Sequence, residues 1–73
     1  MDSSLTEHVV AEYAQQYPAL ITFQQAAEIA SVELGTIYDW SSRGLFDGYK
    51  HRCGRYARLV RNEFIQFLLD IES

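Results

Sequence analysis

The chain has 73 residues, enough for one domain, and its 48% hydrophobic and 14% aromatic content excludes a disordered segment. Its formal net charge is −4, and a single cysteine, Cys53, excludes an internal disulfide. No apolar run approaches the ~20 residues of a membrane span, and Met1-Asp2-Ser3-Ser4 does not read as a secretory signal, so a cytoplasmic protein is expected.

The first helix is predicted after Ser4, where Ser4-Leu5-Thr6-Glu7 fits a capping box that satisfies free N–H groups. Leu5, Val9 and Tyr13 follow at i, i+4 and i+8, beside Val10, Ala14 and Tyr17, with Glu7 and Glu12 facing solvent. Pro18 ends the helix by forcing the residue before it out of the helical region. Ala19-Leu20-Ile21 is expected to be extended. Thr22-Phe23-Gln24-Gln25 is a second capping box, and Phe23, Ala26, Ala27 and Ala30 share one face of the helix it opens. The alanines let another helix approach closely.

Residues 31–35 break the pattern. A third helix over Leu34–Ser42 carries Ile37 and Trp40 as a buried i, i+3 pair, and it stops near Gly44, a good C′ residue. Two short helices joined by three or four residues, with Ala on the first and Val32 plugging the corner, form a helix-turn-helix pattern. Residues 45–60 read as a β-hairpin. Phe46-Asp47-Gly48 is turn-like, residues 49–52 and 55–60 are the strands, and Cys53-Gly54 is the turn, with Gly54 free to take positive φ. The last helix runs from Asn62, as N-cap, to about Ile71. Phe64, Phe67, Leu68 and Ile71 form one apolar stripe and Ile65 and Leu69 a second. The N-terminal helix is expected to cover this face through Leu5, Val9, Tyr13 and Tyr17. A homodimer seam is the alternative.

Every Lys and Arg of the chain lies between positions 43 and 61: Arg43, Lys50, Arg52, Arg55, Arg58 and Arg61, opposed there by Asp47 alone. Residues 1–42 hold six acids and neither Lys nor Arg. This suggests one local surface for an anion, with nucleic-acid phosphate the first candidate. A solvated basic hairpin is the plainer alternative. No phosphate-cradling glycine loop and no Ser/His/Asp arrangement is present, so no enzyme and no cofactor are expected. His51 and Cys53 lack the second pair of ligands that a structural zinc site needs.

Residues 20–69 resemble the small winged helix-turn-helix domains of the excisionase and MerR-like group. The resemblance rests on Leu20-Ile21-Thr22, Ala26-Ala27-Glu28, Val32, Thr36-Ile37-Tyr38-Asp39-Trp40, Gly44, Tyr49-Lys50, Gly54, Arg55-Tyr56 and the final Asn62-Glu63-Phe64-Ile65-Gln66-Phe67-Leu68, in order and at the family's spacing. It implies a mostly α domain with a small β-hairpin, a winged helix-turn-helix carrying an extra N-terminal helix. The second helix of the pair would enter the major groove and the wing would lie along phosphate or in the minor groove. Members serve as recombination directionality factors of phages and mobile elements, as transcription regulators, and in phage terminase small subunits.

Departures from the pattern are Glu33, Leu34 and Asp39, where the family often has Ser, Arg, and Arg or Lys. The reading helix therefore has no positive side chain before Arg43. The wing is one residue longer than usual, and the N-terminal helix lies outside the pattern.

The expected DNA-binding set is Glu33, Leu34, Gly35, Thr36, Tyr38, Asp39, Arg43, Lys50, Arg52 and Arg55. Thr36 and Tyr38 point outward and suit phosphate or base edges. Glu33 could accept from cytosine N4 or act as an N-cap, and Asp39 carries the same ambiguity. Arg52 and Arg55, flanking the hairpin tip, suit phosphate or a narrow minor groove. Lys50 and Arg43 suit phosphate. Arg58 and Arg61 divide evenly between that role and holding the last helix, and Trp40 belongs to the core.

The expected partner is double-stranded DNA, bound by an excisionase-like recombination factor or a small transcription regulator. With so few cations, occupancy would need a dimer, a cooperative array on DNA, or an integrase or polymerase partner. The alternative is a protein-interaction module that has kept the scaffold and lost DNA binding.

Overall fold

The computed structural model describes residues 3–72, and the side chains of residues 7–71 apart from Cys53. The elements are α1 (Ser3–Ala14), β1 (Leu20–Ile21), α2 (Phe23–Ala30), α3 (Leu34–Ser42), β2 (Lys50–Cys53), β3 (Tyr56–Val60) and α4 (Arg61–Glu72). The fold is mostly helical, with a three-stranded antiparallel sheet in the order β1-β3-β2. No helix among the described residues is long and apolar enough to cross a membrane.

Ser4 lies inside α1 and not before it, so it is no N-cap. Its side chain and that of Leu5 lie outside the described residues. The helix ends at Ala14, earlier than Pro18 alone would require, because the next residues close as a turn. Gln16 N donates to Tyr13 O at 3.0 Å and Tyr17 N to the same oxygen at 2.9 Å.

The extended segment before Thr22 becomes a strand. Leu20 pairs with Val60 and Ile21 with Leu59, so the sheet has three strands where a lone hairpin was expected. Ile21 and Leu59 are both fully buried, and that shared burial holds the short strand in place.

α2 starts as the sequence predicts. Gln25 N donates to Thr22 Oγ1 and Thr22 N donates to Gln25 Oε1, both at 2.9 Å. Ser31 ends it in the left-handed region at φ 58°, and Val32 N closes onto Ala27 O at 3.1 Å. Ala26 and Ala27 are buried as expected. Ile29, absent from the expected face, is buried too, and with Val9 and Tyr13 of α1 and Ile65, Leu68 and Leu69 of α4 it lines a small cavity of about 130 Å³. That contact settles how α4 is covered: α1 packs on it within the chain.

α3 spans the expected residues. Arg43 caps it and Gly44 follows at φ 79°. Ile37 is fully buried and Val32 packs against the core. Trp40 is half-buried, edge-on to Phe46 at 6.3 Å and to Phe67 at 5.6 Å.

The connection between α3 and β2 is where expectation and structure part. Phe46, expected in a surface turn, is fully buried. Its ring meets those of Phe23, Trp40, Tyr49, Phe64 and Phe67 at 5.6–6.4 Å between centroids. The turn curls inward through Asp47 N to Gly44 O (3.3 Å) and Tyr49 N to Phe46 O (3.0 Å), and this tucks the phenyl ring beneath the sheet and helices.

The hairpin turn sits one residue later than expected. Cys53 pairs with Tyr56, so Gly54-Arg55 is the two-residue loop and Arg55 is not in the strand. Gly54 takes φ +67° while Arg55 is not at positive φ, the pattern of a II′ turn.

α4 begins at Arg61 with no loop after β3, so Asn62 lies inside the helix and is not its N-cap. The helix start is fixed by Arg61, whose N–H donates to Ala19 O and whose Nη1 donates to Tyr17 O, both at 2.8 Å. Phe64 and Ile65 are buried and Phe67, Leu68 and Leu69 pack against the core, but Ile71 is 56% exposed and does not join the apolar face.

Candidate nucleic-acid interface

Strand alternation places Lys50 and Arg52 on the same face of the hairpin as their partners Leu59 and Ala57. Leu34, Tyr38 and Ser41, at i, i+4 and i+7, form one stripe of α3. These two surfaces, with the first turn of α2, enclose an open groove of about 480 Å³. Phe23, Leu34 and Tyr38 make its apolar side, and Lys50, Arg52 and Arg55 contribute three cations, with Arg58, which pairs with His51 on the other face of the hairpin, at its border. No carboxylate is among its lining residues.

The cations are held to different degrees. Lys50 Nζ donates to Ser41 Oγ at 3.1 Å and lies 3.9 Å from Asp47 Oδ1, which ties the base of the hairpin to α3. Arg58 Nη1 reaches its neighbour's carbonyl, Ala57 O, at 3.5 Å, and its guanidinium carbon lies 6.0 Å from the centroid of the Tyr56 ring. Arg52 and Arg55 are exposed and have no partner among the described residues. Tyr38 is 57% exposed and meets Phe23 edge-on, with centroids 5.2 Å apart and planes at 65°.

The groove therefore gathers half of the expected set: Leu34, Tyr38, Lys50, Arg52 and Arg55. Glu33, Gly35, Thr36, Asp39 and Arg43 do not line it. Glu33 is the exposed N-cap residue of α3, with no side-chain cap bond. Gly35 is exposed beside it, and Thr36 is half-buried with its N–H bonded to Glu33 O at 3.0 Å. Asp39 and Arg43 are paired with each other, Nε to Oδ2 at 3.1 Å.

Arg58 and Arg61, evenly divided by the sequence, separate clearly. Arg58 borders the groove, while Arg61 fixes the start of α4. Lining residues missed by sequence reasoning are Thr22, Phe23, Gln24, Ser41, Tyr56 and Ala57. Ser41 was readable as the i+7 continuation of Leu34 and Tyr38. Phe23 and Gln24 had no such signal, because their place beside α3 follows only from how the two helices cross.

No protein-family model, no curated protein and no solved structure matches the chain.

Proposed function

We propose that this protein binds double-stranded DNA as a small winged helix-turn-helix domain, with α2 and α3 as the helix pair and β2–β3 as the wing. The observation that carries this reading is the groove between α3 and the hairpin, which has Lys50, Arg52 and Arg55 on its lining, Arg58 at its border and no lining carboxylate, in a chain of net charge −4. Phosphate is the anion such a surface suits, and Arg52 and Arg55, exposed and without a partner among the described residues, are placed to donate to it. Lys50, already oriented by Ser41, would hold one backbone phosphate at the base of the wing. α3 presents Leu34, Tyr38 and Ser41 rather than arginine to the groove, so base reading is modest and useful occupancy depends on a second copy or on a partner such as an integrase or polymerase. A role in excisionase-like recombination or in transcription regulation fits this behaviour.

The test is fluorescence anisotropy of a labelled mixed-sequence duplex at 50 and 200 mM salt. With about four phosphate contacts, affinity should fall on the order of a hundredfold across that range. An Arg52→Ala, Arg55→Ala double variant should bind weakly and show a shallower salt slope. No binding at low salt by wild type would overturn the reading. It would favour a protein-interaction module, for which the exposed Glu33 and the Asp39 carboxylate that neutralises Arg43 would then be the relevant surface.

A further inference from the structure

We infer that the groove also accepts an unpaired DNA strand, with phosphates against the hairpin and a base stacked on Tyr38. The two sides of the groove differ in chemistry. The hairpin side offers Lys50, Arg52 and Arg55, and the helix side offers Phe23, Leu34 and Tyr38. In a duplex the base faces are hidden in the stack, so an aromatic ring beside the backbone finds no partner of its own kind. An unpaired strand presents charge along one edge and flat π surfaces along the other, which is the division this groove has.

Tyr38 is suited to that role by its setting. It is 57% exposed, and the edge of Phe23 at 5.2 Å braces the ring without covering it. A volume of about 480 Å³ lies in the range of sites that take one small molecule, which suits a nucleotide entered from an open side. The inference uses the site proposed for duplex binding but does not depend on it.

The test compares three labelled DNAs of about twelve nucleotides by anisotropy at one low salt concentration: oligo(dT), an abasic strand of the same length, and a duplex. Wild type should bind oligo(dT) at least about fivefold more tightly than the abasic strand, the size of one stacked base. Tyr38→Leu should abolish that difference. Equal affinity of wild type for oligo(dT) and the abasic strand would overturn the inference, and this arm needs no variant to fold. Duplex binding without oligo(dT) binding would overturn it while leaving the duplex reading intact. Oligo(dT) binding that depends on Tyr38, without duplex binding, would support it and sink the duplex reading.

Discussion

Asp39 neutralises Arg43: the carboxylate Oδ2 lies 3.1 Å from Nε one helical turn later, on the exposed side of α3. On the proposed duplex reading, this pair would keep Arg43 from a phosphate that Asp39 would itself repel. Replacing Asp39 with Asn removes both effects. Duplex affinity should rise severalfold and the salt slope should steepen by about one, as for one added phosphate contact. Stability should hardly change, since an exposed i, i+4 pair contributes only about 0.3–0.5 kcal/mol. Anisotropy titrations at several salt concentrations check the first outcome and urea unfolding the second. Unchanged affinity would place Asp39 and Arg43 outside the bound surface.

Arg61 is a basic residue whose work is structural. Its Nη1 donates to Tyr17 O and its backbone N–H to Ala19 O, joining the chain before β1 to the start of α4. Arg61→Ala keeps the backbone bond and loses the guanidinium bond. The expected cost is about 1–2 kcal/mol, as for a hydrogen bond to a charged donor, seen as a lower urea midpoint. Duplex affinity of the folded variant should stay within about twofold of wild type, in contrast to the hairpin arginines. A large affinity loss at full stability would return Arg61 to the interface.

The elements that sequence makes legible here are those whose signals are local. The reciprocal cap at Thr22 and Gln25, the span of α3 and the glycine after it are written in a few adjacent residues. So is the apolar face of α4, which α1 covers. The elements that were not legible depend on residues far apart. β1 exists because Ile21 meets Leu59 across the sheet, and Asn62 is not a cap because Arg61 is already anchored by the chain near Tyr17. Phe46 looked like part of a surface turn because Asp47 and Gly48 follow it, and local turn chemistry says nothing about which way the turn folds. The site divides in the same way. Charge clustering pointed to Lys50, Arg52 and Arg55, whereas Phe23 reaches the groove only through tertiary placement.

Phe46 gives the sharpest stability prediction. It is fully buried with five aromatic neighbours, so Phe46→Ala should cost about 3–5 kcal/mol. A domain of this length has roughly 4–11 kcal/mol in total at the usual ~0.05–0.15 kcal/mol per residue. The variant should therefore be largely or wholly unfolded by circular dichroism and near-ultraviolet signal. Phe46→Leu, which keeps most of the volume, should fold with a reduced midpoint. A fully stable Phe46→Ala would show that the turn lies outside the core.

The phenol of Tyr49 should set the alkaline limit of the fold. Its hydroxyl oxygen is buried and has no hydrogen-bond partner among the described residues. Burial, and then the nearby Glu63 carboxylate, push its pKa up from 10.0 to about 12. Below pH 10 the folded and unfolded chains both keep this proton, and it contributes no pH dependence. Between pH 10 and 12 the unfolded chain releases it first and binds fewer protons than the folded chain, so stability falls as pH rises. Tyr49→Phe should remove that part of the fall. At pH 7 it should be neutral or stabilising by up to about 1 kcal/mol, because an unsatisfied buried hydroxyl is costly. Urea midpoints of both proteins at pH 7 and at about pH 11 decide the matter. A parallel loss in wild type and variant would assign the alkaline transition to other groups, with Tyr17 the next to consider. Its pKa is also raised, by burial first and then by Glu28, whose carboxylate accepts its hydroxyl at 3.4 Å.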